Sequence, residues 1–417
     1  MNAVDHSTEL SHCDNSLKSD NCFRRGSVIS LGQAIVDVSM QIDAIPDPGE
    51  NLFANHSQTA AGGCGFNVLY AAREMGARAS LGSALGNGPW ADVIKSALSQ
   101  NGIKHTGMNL EGEDSGFCVA LTDNHAERTF ISTRGAECHV PKAAFDRIHP
   151  GESDVVYLSG YTLVSGTCAA LLSFLDKTRQ QRFTAVFDVS PVIDEVDSAT
   201  LERMIEYRPI WTCNESEADL LARRLGIEEA RPDSADLVQH DAVTKGRSLN
   251  NHAMNVASIN GRPQNEALAE NLAGRTAEMS SLQCQIPDES KRYTRLVQAL
   301  NAPLIIHCGS QGAWLCLPGS SPQLIPGFPA QAVDTNGAGD CHTGVLCASL
   351  LMGIDLREAV SLANLAASIS VESRGAATCP PSPRIVRDVR FKEVLLRDYT
   401  RLLLSRLPGK EKQEGKL

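Results

Sequence analysis

The sequence predicts an α/β fold: a mainly parallel sheet covered by helices on both faces, with two stretches of shorter strands that break the pattern. Apolar, β-rich runs at 28–31, 155–158, 185–187, 210–213 and 304–307 end in small or polar residues, as strands buried on both faces do. Segments with helical spacing at 67–75, 90–98, 169–178, 199–207 and 217–225 lie between them. Repeated alternation of strand and helix favours parallel pairing, because a parallel crossover is usually made by a helix. The stretches 37–59 and 111–133 break this alternation. They carry shorter patterns, Phe117, Val119 and Leu121 and then Thr129 and Ile131, with turn residues such as Pro46-Asp47-Pro48-Gly49. That reads as antiparallel strands, either pairing into a small sheet set apart from the main one or forming two unrelated surface hairpins.

Composition narrows the setting. The chain has 417 residues, 42% hydrophobic and 21% charged, which suits a soluble globular protein of up to about three domains or of one large domain with insertions. Its 38 basic against 49 acidic side chains argue against a nucleic-acid or anionic-membrane partner. The longest apolar runs, such as 344–352, end well short of the roughly 20 residues a bilayer span needs. Thirteen cysteines, an odd number with no CxxC pair, include Cys118, Cys168, Cys308, Cys316 and Cys347 in apolar stretches. There a reduced thiol packs as a small hydrophobe, which points to the cytoplasm. The neighbours Cys138 and His139, His307 and Cys308, and Cys341 and His342 do not suggest zinc, since adjacent strand residues face opposite ways.

Residues 1–25 are polar and read as a disordered tail, 26–407 as the folded domain and 408–417 as a second frayed tail. Within the domain, 228–292 has few aromatics and only scattered apolar residues. It reads as a mostly disordered insertion with a short helix around 264–272.

The most informative stretch is Val333-Asp334-Thr335-Asn336-Gly337-Ala338-Gly339-Asp340, followed by a small-residue apolar run at 343–351 with helical character. A glycine-bearing turn that opens a helix presents N–H groups with no intrahelical partner, and those donors can hold an anion. Gly337 and Gly339 permit positive φ and close approach of the backbone to a phosphate, while Asp340 falls in the first helical turn. A carboxylate so placed repels a phosphate unless it is there to accept a proton. Alone, the pattern is equally a tight turn with Asp340 as a helix cap. A second cluster, Ala61-Gly62-Gly63-Cys64-Gly65-Phe66-Asn67, opens another helix and favours the functional reading.

Together the two segments resemble the signatures of the ribokinase/PfkB family of carbohydrate kinases, with the similarity running from about 28 to 388 outside the insertion. Asn214-Glu215-Ser216-Glu217 resembles the family's Asn-x-x-Glu motif, and Gly309-Ser310-Gln311-Gly312 its Gly-x-x-Gly turn. Asp37 resembles the substrate-binding aspartate of its opening motif. The resemblance implies a ribokinase-like three-layer α/β/α fold with a mainly parallel central sheet and a small β lid built from about 37–59 and 111–133, and an ATP-dependent kinase acting on a hydroxyl of a sugar or related small polyol. Asp340 would be the base, with the backbone of Gly337, Ala338 and Gly339 as the anion hole.

By the same resemblance, Asp37, Gly63 and Asn67 would hold sugar hydroxyls, the carboxylate accepting and the amide both accepting and donating. Asn214 and Glu217 would organise Mg²⁺ and phosphates through water. Thr335, Gly309, Gly312 and Asn364 would flank the nucleotide. Some members bind K⁺ beside the anion hole, which would here involve Asp334, Asn336, Ser370, Ser373 and Gly375.

Cys64 stands where ribokinases have lysine and Phe66 where a small residue is common, which speaks against ribose. Gly-Gly-Cys, with Glu127-Arg128-Thr129-Phe130 and Ser159-Gly160-Tyr161, is similar to another subgroup of sugar kinases. Phe53, Phe117 and Phe130 in the lid segments could supply an aromatic platform, so a nucleoside kinase is the rival enzyme. A non-catalytic nucleotide- or sugar-binding regulator is the rival of another class, disfavoured by the intact Asp340 motif. A homodimer is expected through an apolar lid face.

Overall fold

The computed structural model describes residues 26–125, 127–227, 287–388 and 390–391. Both expected tails, the helix around 264–272 and most of the expected insertion lie outside these residues. Along the chain the elements are β1 (Val28–Ser30), β2 (Ile35–Gln41), β3 (His56–Gly62), α1 (Cys64–Glu74), β4 (Ala79–Leu81), α2 (Pro89–Gln100), β5 (Lys104–His105), β6 (Phe117–Thr122), β7 (Arg128–Ser132) and β8 (Val155–Ser159). They continue with α3 (Cys168–Thr178), β9 (Thr184–Asp188), α4 (Ser198–Tyr207), β10 (Ile210–Asn214), α5 (Glu215–Arg224), α6 (Pro287–Leu300), β11 (Leu304–His307), β12 (Gly312–Cys316), β13 (Gln323–Pro326), α7 (Ala338–Leu351), α8 (Leu356–Ser370) and α9 (Ser382–Arg387).

The main sheet has nine strands in the order β13-β12-β11-β10-β9-β8-β1-β4-β5. From β11 to β5 every pair is parallel, and β12 runs antiparallel to both of its neighbours. Successive side chains on a strand alternate between faces, and both faces here are covered. Val155, Val186 and Ile305 enter a core shared with α1, α2, α7, α8 and α9. Val156, Phe187 and Ile306, one residue further along, enter a second core shared with α3, α4, α5 and α6. This is the three-layer arrangement that the alternating strands and helices predict.

A four-stranded sheet in the order β3-β2-β6-β7 stands apart as the lid. Its outer pairs are antiparallel, as expected, but β2 and β6 at its centre are parallel, with Val36 opposite Phe117 and Met40 opposite Leu121. The chain between them passes through α1, β4, α2 and β5, ample for a parallel crossover, whereas a hairpin turn forces the antiparallel sense. Helix α2 packs on the lid through Trp90, whose ring lies 5.2 Å from that of Phe117.

The sequence reading carried the disordered insertion to 292, and the structure corrects that boundary. Helix α6 begins at Pro287 and buries Tyr293, Leu296, Val297 and Leu300 on the second core. Each such aliphatic side chain contributes about 1.5–3 kcal/mol by leaving water, enough to order a segment whose N-terminal half is polar.

Helix α7 is apolar almost all round because it is enclosed, not because it spans a membrane; Cys341 to Ser349 are buried without a break. Such a helix belongs in a core. Among the described residues no helix is long and apolar enough to cross a membrane. Helices α1 and α7 approach closely at Gly344, where an added Cβ would sit 2.4 Å from the Val68 carbonyl oxygen. We expect Gly344→Ala to wedge these helices apart and cost about 1–3 kcal/mol, read as a lowered thermal midpoint. Gly151→Ala, whose added Cβ would meet only Asp154 Oδ2 at 3.7 Å, should leave the midpoint nearly unchanged.

Candidate active site

Two helices open into one cleft. Gly63 caps α1 with φ 80°, a conformation that suits glycine, and Gly62 is held free of a side chain by Asp37, whose Oδ2 would lie 2.0 Å from an added Cβ. Gly337 caps α7 with φ 72°, and any Cβ there would fall 2.0 Å from the Ala376 carbonyl oxygen. The chain can therefore turn into α7 only with glycine at that point. The cleft lies at the C-terminal ends of the parallel strands, roofed by β7 of the lid, and its volume is about 1380 Å³. That exceeds the roughly 300–1,000 Å³ of a site for a single small ligand and leaves room for two.

The two helices meet through one hydrogen bond: Asn67 Nδ2 donates to Asp340 Oδ2 at 2.8 Å. Asn67 is 5% exposed and its Oδ1 has no hydrogen-bond partner in the protein, an orphaned acceptor at the cleft wall. Such a group costs stability unless a ligand hydroxyl or water satisfies it. Asp340 stands in the first turn of α7. The Ala338 N–H makes a long bond, 3.3 Å, back to the Thr335 carbonyl. Helix geometry leaves the next two N–H groups, of Gly339 and Asp340, without an intrahelical acceptor. A Cβ at Gly339 would meet nothing closer than His307 Nδ1 at 3.7 Å, so that stretch of backbone is open to a ligand.

Acidic groups converge here. Burial lifts Asp340 to about 6 despite the Asn67 hydrogen bond that lowers it, and burial with the nearby Asp340 charge lifts Asp37 to about 6. Glu217 is raised by burial and by Asp340, and Asp188 is raised strongly by burial, Glu217 and Asp340. Asp188 was not singled out in the sequence. It ends β9, where its Oδ1 accepts from the Ser190 N–H at 3.2 Å, and its place at the C-terminal end of a parallel strand was the available signal. Beside it, Cys64 donates to Ser159 Oγ at 3.3 Å, and burial pushes its thiol up to about 12.

The remaining expected residues divide by what their polar atoms do. Asn214 and Glu217 form a reciprocal cap on α5: Asn214 Oδ1 accepts the Glu217 N–H and Glu217 Oε2 accepts the Asn214 N–H, both at 2.9 Å. Both line the cleft, as do Thr335, Gly309 and Gly312. Asn364 lines it too, but its amide donates to the carbonyls of Ile325 and Pro326 and its oxygen meets His342 Nε2 at 3.2 Å. It clamps β13 to α8 and offers no free amide to a ligand. His342 in turn packs against His307, with ring centroids 4.3 Å apart and planes tilted by 54°, and burial lowers the pKa of both. The sequence showed these two only as neighbours of cysteines.

Asp334, Asn336, Ser370, Ser373 and Gly375 lie around the turn that opens α7. Asp334 accepts from the Asn336 and Gly375 N–H groups and pairs with Arg128 of the lid.

Comparison with known proteins bears on the family and the fold. A family model described as pfkB family carbohydrate kinase matches residues 25–248 and 264–383, more than half of the chain. A protein of Escherichia coli (strain K12) named uncharacterized sugar kinase YegV is 29% identical over 356 residues, covering 85% of this chain and 92% of its own. The solved ribokinase of Cryptococcus neoformans var. grubii serotype A in complex with ADP superposes with a TM-score of 0.61 at 22% identity, covering 86% of this chain and 98% of its own. The nucleoside kinase of Burkholderia thailandensis in complex with inosine gives 0.59 at 18% identity, with 88% and 97% covered. These likenesses show the ribokinase-like fold.

The raised carboxylates make a stability prediction. A folded-state pKa above the unfolded 3.8 means that folding favours the protonated form, so the penalty is absent below pH 4, grows from pH 4 to 6 and is full above it. Asp340→Asn should therefore stabilise the protein by about 1–3 kcal/mol at pH 8 and by far less at pH 4, read from denaturant midpoints at each pH.

Proposed function

We propose, on the premise that the chain belongs to the pfkB family of carbohydrate kinases, that its cleft transfers the γ-phosphoryl group of ATP to a hydroxyl of a sugar or related small polyol. The chain is a kinase with an alcohol acceptor; the acceptor and the step below are our reading. The observation that carries it is Asp340, held by Asn67 at the opening of α7 beside N–H groups that lack helix partners.

A substrate hydroxyl hydrogen-bonded to Asn67 Oδ1 and to Asp37 would lie within reach of Asp340. Asp340 takes the hydroxyl proton as the alcohol oxygen bonds to the γ-phosphorus and the bond to the β-phosphate oxygen breaks, releasing ADP. Phosphoryl transfer depends on positioning and on stabilising spread negative charge, and the N–H groups at the start of α7, with its dipole, supply that stabilisation. A base near pKa 6 is mostly ionised at neutral pH yet basic enough to share a proton in the transition state.

Magnesium fits the donor set. Asp188 and Glu217 are oxygen donors crowded with Asp340, and a divalent cation would relieve their mutual repulsion. Among the described residues no three His, Cys, Asp or Glu side chains converge on one metal position, so the ion would keep most of its water shell. When bound it would neutralise phosphate charge. The ten described cysteines are free, which suits a reducing cytoplasm.

A nucleoside acceptor is the second reading, favoured by Phe130, which lines the cleft from the lid and is 55% exposed. A panel of free sugars, polyols and nucleosides with ATP consumption as readout decides between them: turnover of nucleosides alone would sink the sugar reading. On the accepted substrate, Asp340→Asn should lower kcat by about 10²–10⁴ while ATP binding persists. In the wild type kcat/KM should fall about tenfold per pH unit below 6, because protonated Asp340 cannot accept the hydroxyl proton. An Asp340→Asn rate equal to wild type would return the chain to the non-catalytic regulator reading.

We also propose a homodimer formed by the lids, whose Ile131 and Phe53 are 59% and 91% exposed. Ile131→Lys should shift the sedimentation velocity profile from dimer to monomer; a wild type that sediments as a monomer contradicts this.

A further inference from the structure

We propose that the guanidinium of Arg128 is the resident cation at Asp334, supplied by the lid in place of a bound monovalent metal ion, so that this kinase works without K⁺. The residues at the expected cation position do not fit a metal ion. Asp334 Oδ1 accepts the Asn336 N–H at 2.8 Å and Arg128 Nη2 at 2.5 Å, and Oδ2 accepts the Gly375 N–H at 3.0 Å. The Asp334 carboxylate thus already accepts three hydrogen bonds, two from backbone N–H groups and one from a guanidinium. Nearby oxygens of Ser370 and Val371 are engaged as well. Ser370 Oγ donates to the Ala367 carbonyl at 2.8 Å, the Ser370 carbonyl accepts the Ser373 N–H at 3.1 Å, and the Val371 carbonyl accepts the N–H groups of both Val333 and Asp334.

Charge leads to the same conclusion. A guanidinium is charged at every accessible pH, so Arg128 already neutralises Asp334, and a metal ion would have to sit against a like charge. The side chains are 27% and 15% exposed, so the pair is only partly screened by solvent.

The pair also has a mechanical consequence. Arg128 opens lid strand β7, where it is held opposite Thr122, and Asp334 begins the turn that leads through Gly337 into α7. Lid and anion-binding turn are therefore joined by this ion pair, and the lid supplies the positive charge at the turn. Arg128 is a positioning residue: it acts through Asp334 on the backbone that would hold the phosphates.

The activity arm of the test rests on the kinase reading, and the stability arm does not. The full chain is melted in about 100 mM KCl and in tetramethylammonium chloride at equal ionic strength. Wild type should melt at the same temperature in both, within about 1 °C, whereas Arg128→Ala, with Asp334 left bare, should gain about 2 °C or more from K⁺. In phosphoryl transfer the wild-type rate should be the same in both salts. Arg128→Ala should lose about tenfold in tetramethylammonium and recover several-fold in KCl, with Arg128→Lys intermediate, a cation response that a merely structural loss does not produce. Either a K⁺-dependent rise in the wild-type midpoint or rate, or an Arg128→Ala protein indifferent to K⁺, overturns the proposal. If Arg128→Ala does not fold, Arg128→Gln replaces it, and the wild-type comparison decides in any case. Absence of turnover in every salt, with the melting differences intact, would sink the kinase reading and leave this one standing.

Discussion

A single hydrogen bond, from Asn67 Nδ2 to Asp340 Oδ2, joins the openings of two helices that lie 273 residues apart in the chain. It can form only because α1 and α7 pack tightly enough that Gly344 admits no side chain, and because Gly63 and Gly337 take backbone conformations other residues avoid. The bond leaves Asn67 Oδ1 as an orphaned acceptor at the cleft wall. The Asp340 carboxylate and the Asn67 amide are therefore positioned by one packing contact.

Around that contact the cleft gathers negative charge that a folded protein would otherwise avoid. Asp37, Asp188, Glu217 and Asp340 each raise or are raised by another member of the group, with burial as the leading cause. The open end of α7 supplies partial positive charge on one side. Arg128 supplies a full one behind the turn. What remains uncompensated suits a ligand that brings its own cation, as a magnesium-bound nucleotide does, and strain of this kind at a functional site is a familiar trade of stability for activity.

Several residues that read as ligand-binding in sequence hold the scaffold in place. The Asn214 and Glu217 pair is a complete helix cap, which places Glu217 at the cleft at a fixed angle while using one of its oxygens. Asn364 donates its amide hydrogens to β13 and its oxygen meets His342, while the residue lines the cleft. Cap, clamp and site are the same atoms seen from two sides, and a motif alone does not say which side a given atom serves.

The amino-acid sequence by itself determined the layered α/β architecture, since strand and helix periodicities are local and each strand in the middle of the sheet had to be apolar on both faces. It also determined the two glycine-opened helices, because glycine at Gly63 and Gly337 is a local backbone requirement. Only the tertiary structure decided the parallel pairing of β2 with β6, the entry of Asp188 into the acidic cluster, the contact of His307 with His342 and the ion pair of Arg128 with Asp334. These are contacts between residues far apart in the chain, and whether two such groups meet depends on packing geometry that no local pattern encodes.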